Sequence, residues 1–320
     1  MSTVPVGAAI RVRAPASSAN LGPGFDSIGL ALGVWDEVEV TVTRVPGLRI
    51  EVHGQGRDGV PRDESHLVYR SMVRAFDRIG VTLPAGMRLV ARNAVPHGRG
   101  MGSSATAIVA GVVAAQGLSA YAAGSAPDPG AAIEVDRAMA NAIASDLEGH
   151  PDNASATVYG GLTLSWTGDP GDPHEGSTVT ARLPIHPELC AVVFVPEATL
   201  ATHTARAMLP DQVPLRDAAR NGARAALLVE AATRRPELLL PATRDWLHQE
   251  ARRPSYAASM AVVDHLRERG HAALISGAGP SVLVLVRRSR APEVTLPATF
   301  GDWTRLQPGI PRQGAQVLAC

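Results

Sequence analysis

A glycine-rich segment, PHGRGMGSSATA at residues 96–107, has the composition of a phosphate-binding loop. Its three glycines alternate with other residues, so the backbone can bend sharply and approach a ligand closely. Ser103 and Ser104 stand where a helix would begin, because an apolar run follows them directly. Free N–H groups and the positive end of a helix dipole attract anions at such a position. The segment therefore predicts phosphate binding, and nucleotide chemistry is the first hypothesis.

Two familiar phosphate-binding motifs do not fit this segment. A Walker A loop needs a lysine that reaches the β- and γ-phosphates. This chain contains no lysine, so its 30 cationic residues are all arginines. The dinucleotide fingerprint needs an acidic residue after a second strand, and none stands at the expected distance. A plain turn between a strand and a helix is the alternative interpretation.

A second polar segment, SSANLGPGFD at residues 17–26, follows a strand-like run. The carboxylate of Asp26 could bind an ammonium group, and the amide of Asn20 could fix a polar atom of a substrate. Because Asn and Asp also cap turns routinely, simple turn chemistry is the alternative.

A third segment, DLEGHPDN, closes a predicted helix with two carboxylates, Asp146 and Glu148. Acidic residues at the end of a helix oppose its dipole, so a nearby cation would stabilise them. Mg²⁺ usually takes one or two carboxylates together with phosphate oxygens, which predicts a magnesium site here. His150, Asp152 and Asn153 follow in a turn that contains proline. A helix stop followed by an Asx turn is the alternative.

Two arginines and a second glycine segment complete the set of candidates. Arg206 in ATHTARAMLP and Arg252 in DWLHQEARR could each clamp a carboxylate with two parallel N–H groups. The alternative for both is a solvated surface position. The segment SGAGPSV at residues 276–282 lies between two predicted strands, and its glycines would permit a close approach to the phosphate loop. A tight β-turn is the alternative there.

The elements that must position these segments mix strands and helices without regular alternation. Alternating and apolar runs predict strands at residues 9–13, 38–42, 48–52, 87–93, 162–166, 189–195, 273–276 and 282–286. Helical spacing predicts helices at residues 65–79, 105–118, 131–147, 215–230 and 254–269. Residues 14–32 are predicted to be a loop. With a boundary at Gly160 and Gly161, the sequence predicts an α+β protein of two lobes, residues 1–160 and 161–320.

The composition limits the classes of function. The chain has 320 residues, 45% of them apolar, and a formal net charge of zero, which argues against a nucleic-acid binder or an anionic-membrane binder. The only cysteines are Cys190 and Cys320, so a reducing compartment is expected. Because no signal segment and no apolar run of membrane-spanning length is apparent, we expect a soluble cytoplasmic protein without a membrane partner. The sequence does not fix the oligomeric state, and a homodimer is kept open.

Taken together, these segments resemble the GHMP kinases and, within them, the homoserine kinases. VRAPASSANLGPGFDSIGLAL is similar to the first motif of that family, PHGRGMGSSATA to its phosphate loop, EGHPDN to its substrate segment and SGAGPSV to its C-terminal glycine motif. LATHTARAMLP and the start of DWLHQEARR resemble two further homoserine kinase segments. The blocks run from residue 12 to residue 286, so the resemblance covers nearly the whole chain.

The resemblance implies an N-terminal lobe like domain 2 of ribosomal protein S5, a ferredoxin-like C-terminal lobe, and a site between them. It implies that ATP and Mg²⁺ serve to phosphorylate the side-chain hydroxyl of L-homoserine, on the route to threonine. The substrate positions of the family fall on Asn20, Asp26, His150, Asn153, Arg206 and Arg252. The ATP positions fall on Pro96, His97, Gly98, Arg99, Gly100, Met101, Gly102, Ser103, Ser104, Ala105 and Thr106. The metal positions are Ser104 with Glu148 or Asp146, and the catalytic positions are Asp152 and Arg206.

The chain departs from the family at a few positions, and other functions stay open. Met101 replaces a common leucine, and His66 stands where an asparagine is common, in a segment that borders the adenine. After LHQ a common tyrosine is missing, although Arg252 is retained. The resemblance leaves open whether Asp152 acts as a general base. The alternatives are another small-molecule GHMP kinase of the mevalonate type and a catalytically silent paralogue that senses ligands.

Overall fold

The computed structural model describes residues 2–122, 127–200 and 202–320, with the backbone alone at residues 202 and 203. The strands in these ranges are β1 (Ser2–Thr3), β2 (Ala9–Ala19), β3 (Ile28–Val42), β4 (Gly47–Gly54), β5 (Val81–Thr82), β6 (Gly86–Asn93), β7 (Ala132–Ile133), β8 (Leu162–Thr167), β9 (Thr178–Leu183), β10 (Leu189–Pro196), β11 (Ala272–Ile275), β12 (Val282–Arg287), β13 (Trp303–Leu306) and β14 (Gln316–Ala319). The α-helices are α1 (Leu67–Ile79), α2 (Ser103–Ala122), α3 (Arg137–Glu148), α4 (Pro151–Tyr159), α5 (Thr202–Arg206), α6 (Leu215–Thr233), α7 (Leu239–Ala242), α8 (Gln249–Arg252) and α9 (Ala257–Glu268). Short 3-10 turns span Pro236–Leu238, Arg253–Tyr256, Arg288–Glu293 and Ala298–Phe300.

The larger sheet forms the first lobe. Its strands run in the order β4-β6-β3-β2-β14-β7, with β8 paired to β3 and β9 paired to β8. The pairings are antiparallel except for β4 with β6, which is parallel. One face of this sheet packs on α1 to α4 through a core of small aliphatic side chains. A scarcity of aromatic residues therefore does not prevent a closed core, because alanine and valine fill it.

The second lobe contains the smaller sheet, whose antiparallel strand order is β11-β12-β10-β13. This order is the one expected of a ferredoxin-like lobe. Alternate residues of β10 face two different cores: Leu189 and Val193 face the region between the lobes, whereas Val192 and Phe194 face α9. Both faces of the sheet are therefore buried, which explains why β10 is a continuous apolar run.

The predicted α+β architecture of two lobes is confirmed, but the predicted division after residue 160 does not coincide with the sheets. β8, β9 and β14 follow that boundary in the chain and yet belong to the larger sheet. β8 pairs with the first residues of β3, and β14 pairs with β2. These strands form hydrogen bonds with backbone N–H and C=O groups of β2 and β3 that would otherwise be left unpaired at a sheet edge.

One helix changes the expectation about apolar runs. By length and composition α2 could cross a membrane, so the expectation that no run approaches membrane-spanning length was wrong. Most of α2 is nevertheless buried inside the protein, between the larger sheet and α1, α3 and α4. A helix that is apolar on all sides and surrounded by protein is typical of the centre of a domain.

Asp36 connects the larger sheet to the phosphate loop. It lies in β3 and is 5% exposed, and its Oδ1 accepts hydrogen bonds from the backbone N–H groups of Ala94 (2.7 Å) and Val95 (2.8 Å). Burial raises the pKa of Asp36 from its ordinary value of 3.8 to about 6, although both N–H groups oppose the rise. The chain segment that leads into the glycine-rich loop is thus fixed by a carboxylate that is costly to ionise.

Asp36→Asn should remove a pH dependence of stability while keeping both hydrogen bonds, because an amide oxygen can also accept them. A raised pKa in the folded state means that Asp36 stabilises the wild-type fold when protonated, and that this contribution is lost as the pH rises through about 6. The free energy of unfolding of the variant relative to the wild type should therefore increase by about 2 kcal/mol between about pH 4.5 and 6.5 and stay level above that range. Urea titrations across this range measure it, and a difference independent of pH would contradict the assignment.

Candidate active site

A polar cleft between the two lobes brings together most of the predicted site residues. The predicted residues that line it are Asn20, Asp26, Gly98, Gly100, Gly102, Ser103, Ser104, Glu148, His150, Asp152, Asn153, Arg206 and Arg252. Six other predicted residues, Pro96, His97, Arg99, Met101, Ala105 and Thr106, lie in the phosphate loop or the first turn of α2 but outside the lining of this cleft. Asp146 is exposed and does not line the cleft either. His97 and Thr106 line a second cavity beside the cleft, whereas Met101 and Arg99 hold the loop in shape.

The glycine-rich loop joins β6 to α2 and is wedged between the two lobes. Gly100 and Gly102 both have φ of +68°, in the left-handed region that favours glycine. A Cβ atom on Gly100 would lie 2.2 Å from the carbonyl oxygen of Ser276, and one on Gly102 would lie 2.3 Å from Oγ of Ser17. Neither position can carry a side chain without moving its neighbour. The predicted close approach of SGAGPSV to this loop is therefore present in the structure.

Several residues of the loop anchor it and do not face the cleft. Met101 is fully buried in the core between the lobes. The Arg99 guanidinium donates to the backbone carbonyls of Pro196 (2.8 Å) and Glu197 (2.7 Å) in the second lobe. The Thr106 hydroxyl donates to the carbonyl of Gly102 at 2.9 Å. With these contacts the loop is fixed from both sides, and the backbone at the start of α2 stays open to the cleft.

The segment between β2 and β3 holds its polar side chains with an unusual backbone. Asn20, Leu21 and Asp26 have φ values of 68°, 48° and 55°, although none of them is glycine. The Oδ1 of Asn20 accepts a hydrogen bond from the backbone N–H of Asp26 at 3.0 Å, and its Nδ2 donates to the carbonyl of Gly277 at 3.1 Å. Strained backbone of this kind persists where surrounding contacts impose it, and such positions concentrate at functional sites.

Asp26 and Arg206 form a forked ion pair at the mouth of the cleft. Nη1 and Nη2 of Arg206 donate to the two carboxylate oxygens of Asp26 at 3.0 and 2.6 Å. The predicted ammonium-binding group and the predicted carboxylate-binding group therefore neutralise each other in this structure. An α-amino acid carries both charges on one carbon, so a zwitterion can satisfy both partners at once.

Of the three residues expected to hold a metal, Ser104 and Glu148 line the cleft and Asp146 does not. Ser104 Oγ donates to Oε1 of Glu148 at 2.5 Å, at the start of α2. Burial raises the pKa of Glu148, and the hydrogen bond from Ser104 opposes the rise. Among the described residues no group of three or more His, Cys, Asp and Glu could hold a metal by itself. A hydroxyl and one carboxylate suit Mg²⁺ when phosphate oxygens complete its shell.

His150 and Asp152 form a pair on the floor of the cleft. Nδ1 of His150 lies 2.7 Å from Oδ1 of Asp152, which also accepts the backbone N–H of Asn153 at 2.7 Å. Burial lowers the pKa of His150, but Asp152, Glu148 and Asp26 outweigh it and leave the pKa raised. Asn153 is fixed in turn, because its Oδ1 accepts a hydrogen bond from Ser17 Oγ at 3.0 Å.

A second cavity of about 300 Å³ adjoins the cleft and shares Ser103 and Ser104 with it. Apolar atoms contribute most of its surface, and its walls include Asp36, His66 and His97. His66 is 2% exposed, its Nδ1 has no hydrogen-bond partner, and burial lowers its pKa. A mainly apolar slot with a few polar groups beside a phosphate loop is the shape expected of a site for a nucleobase.

Sequence reasoning missed some of the residues that shape the site. Asp36 stands in phase with the inward-facing Val38 and Val40 of β3, and a carboxylate at such a position was a usable signal. Phe25 lines the cleft next to Asp26, in a chain that has only four phenylalanines. The contacts of Ser17 and Ser276 have no comparable signal, because a serine does not reveal its partner.

The comparisons with known proteins agree with this geometry. The family model described as GHMP kinases N terminal domain matches residues 66–161, and the one described as GHMP kinases C terminal matches residues 217–297. Together they cover the glycine-rich loop, the DLEGHPDN segment and the second glycine segment. The chain belongs to the GHMP kinase family.

Its relatives narrow the family to one branch. A homoserine kinase from Streptomyces coelicolor is 48% identical over 97% of this chain and 95% of the relative. A homoserine kinase from Clavibacter michiganensis is 42% identical over 99% and 96%. The crystal structure of homoserine kinase from Cytophaga hutchinsonii, 25% identical, matches with a TM-score of 0.80 over 97% of both chains. The chain is thus placed among the homoserine kinases.

Gly102→Ala should weaken ATP binding at least about tenfold, because a left-handed backbone and a contact with Ser17 Oγ both resist the added methyl group. Gly80→Ala is the matched control: Gly80 has φ of 77° but open space around its Cβ position. Both variants suffer the backbone penalty, and only Gly102→Ala distorts the loop. Calorimetric titration with ATP and Mg²⁺ measures the difference. Equal ATP affinity in the two variants would show that close packing at Gly102 is unimportant for binding.

Proposed function

We propose that this protein transfers the γ-phosphoryl group of ATP to the side-chain hydroxyl of L-homoserine, giving O-phospho-L-homoserine for threonine synthesis. The observation that carries the proposal is the Asp26–Arg206 ion pair, which offers sites for an ammonium and a carboxylate in the same cleft as the phosphate loop. Mevalonate-type substrates have no ammonium group, so this pair favours an amino-acid acceptor over the other small-molecule kinases of the family.

The chain's contribution to the reaction is mainly positioning and electrostatic stabilisation, as is usual in phosphoryl transfer. The backbone N–H groups of the glycine-rich loop and the start of α2 hold the phosphates, and the second cavity takes the base. Asn20, His150 and Asn153 border the acceptor, and their hydrogen bonds within the protein restrict their orientation. Asp152 is 1% exposed and orients His150. We assign the contact with the acceptor hydroxyl to the carboxylate of Asp152.

Ser104 and Glu148 are the residues that we assign to Mg²⁺, because their oxygen atoms meet in the cleft while Asp146 faces solvent. When bound, Mg²⁺ neutralises charge on the β- and γ-phosphates. The carboxylate of the substrate would replace Asp26 as the partner of Arg206, with Arg252 beside it.

We place the protein in the cytoplasm, since both cysteines are free and its substrates are intracellular metabolites. A homodimer is compatible with this function, and sedimentation measures it.

Asp26→Asn should raise the KM for L-homoserine at least about tenfold and leave the KM for ATP nearly unchanged, because the ammonium loses its ionic partner. The assay couples ADP release to a dye, with L-homoserine, mevalonate and 3-aminopropan-1-ol as acceptors. The wild type should turn over L-homoserine, with a phosphate monoester visible by phosphorus NMR. Preference for mevalonate would overturn the proposed function. An unchanged homoserine KM in the variant would remove only the role of Asp26.

Arg206→Lys should impair L-homoserine turnover although it keeps the charge, because an ammonium cannot match the two oxygens of a carboxylate as the planar fork does. The KM for L-homoserine should rise about tenfold, and turnover of 3-aminopropan-1-ol, which lacks the carboxylate, should change little. Arg88→Lys is the control, since Arg88 donates twice to Glu51 outside the cleft. If Arg206→Lys affects both acceptors equally, Arg206 does not bind the carboxylate.

A further inference from the structure

We propose that Phe25 is a positioning residue whose ring holds the guanidinium groups of Arg206 and Arg252 together, so that both can reach one substrate carboxylate. Phe25 carries no group that could take part in the reaction, and it lines the cleft with both arginines. This inference rests on the proposed function, because it assigns the carboxylate of L-homoserine to these arginines.

The geometry around Phe25 brings two cations to one aromatic ring. The Cζ atom of Arg206 lies 5.6 Å from the centroid of the ring, and the Cζ atom of Arg252 lies 5.4 Å from it. The face of an aromatic ring carries negative electrostatic potential and attracts a cation within about 6 Å. One ring therefore stabilises both guanidinium groups, which come from separate segments of the second lobe.

The two arginines need such a device because their charges repel each other. Arg252 is 2% exposed, and its Nε donates to the carbonyl of Ala205 at 2.9 Å. Burial is the largest cause that lowers the pKa of Arg252, and the positive charge of Arg206 lowers it further. Asp26 is paired with Arg206 through both of its oxygens. The ring face offsets part of this repulsion without supplying a carboxylate that would compete with the substrate.

The ring of Phe25 is itself held in place. The imidazole of His248 stacks on it, with the centroids 5.1 Å apart and the planes at 29°. His248 is 1% exposed, and burial lowers its pKa, so a neutral ring donates from Nε2 to the carbonyl of Gly22 at 2.8 Å. The segment between β2 and β3 is thus fixed to the second lobe on both sides of the phenylalanine. Phe25 therefore links the backbone that carries Asp26 to both arginines.

The arrangement makes recognition of the carboxylate depend on the electrons of the ring as well as on its shape. A ring with a weaker negative face would leave the two guanidinium groups less well aligned, while the phosphate loop and the ammonium site would be unaffected. The consequence is a selective loss: the KM for an acceptor with a carboxylate rises, and the KM for an acceptor without one does not. A merely structural ring would not produce this split.

The test replaces Phe25 with phenylalanines that carry one, two or three fluorine atoms, introduced at this codon by amber suppression. Each fluorine weakens the negative face of the ring and leaves its size nearly unchanged. We expect the KM for L-homoserine to rise stepwise, by about tenfold for the trifluorinated ring, which corresponds to a cation–π energy of ordinary size. The KM for ATP and turnover of 3-aminopropan-1-ol should stay constant. A homoserine KM that is the same throughout the series would overturn the inference.

Conventional variants provide the controls. Phe25→Leu should raise the homoserine KM at least as much as the trifluorinated ring, and Phe25→Tyr, which keeps an aromatic face, should restore it. Trp35→Leu removes a similar pair, with Arg13 at 5.1 Å from the Trp35 ring, outside the cleft, and should change neither KM. If Phe25→Leu does not fold, the fluorinated series decides alone. The activity of the wild type is measured before any variant. Failure of the wild type to phosphorylate L-homoserine would refute the proposed function itself.

Discussion

The close approach of three backbone segments at the phosphate loop is the constraint on which the rest of the structure depends. Ser17 in β2 donates its N–H to the carbonyl of Met101 at 3.1 Å, and Ser276 Oγ lies 2.6 Å from the carbonyl oxygen of Gly100. The loop is therefore bounded by one segment from each lobe, and no side chain can be added where they meet. Contacts from both lobes hold its shape, and the start of α2 faces the cleft.

Charge in the cleft is organised by pairs that a ligand can replace. Asp26 pairs with Arg206, and Glu148 accepts a hydrogen bond from Ser104. Asp152 accepts hydrogen bonds from His150 and from the backbone N–H of Asn153. Each pair satisfies groups that would otherwise be costly to leave partly buried. A zwitterionic acceptor and a metal-bound nucleotide would exchange partners with these groups without leaving any of them unpaired. The cost of desolvation that opposes their binding would therefore be small. Groups that satisfy each other before binding also keep one geometry ready for use.

The sequence indicated which segments meet in the cleft better than it indicated the shape of those segments. The glycine-rich loop and the carboxylates in the last turn of α3 were singled out because glycine spacing and helix-end charge are local signals. Residues 14–32 were predicted to be a loop, yet most of them belong to β2 and β3. Glycine and proline there serve close packing and a register shift at Pro15, which depend on partners distant in sequence. Residues 132–133 pair with β14, which is also distant in sequence. The helix predicted from residue 131 therefore begins only at Arg137.

The position of β14 has a consequence for how the protein is made. It lies between β2 and β7 in the larger sheet, although almost the whole of the described chain separates it from β2. During synthesis on a ribosome, one edge of β2 therefore stays without its final partner until the second lobe has been translated. An unpaired strand edge can associate with other chains, and pairing across such a sequence distance is slow. The first lobe cannot complete its sheet as an early, independent folding unit. The edge of β2 therefore stays open to association with other chains for longer than it would if the first lobe folded as soon as residues 1–160 were made.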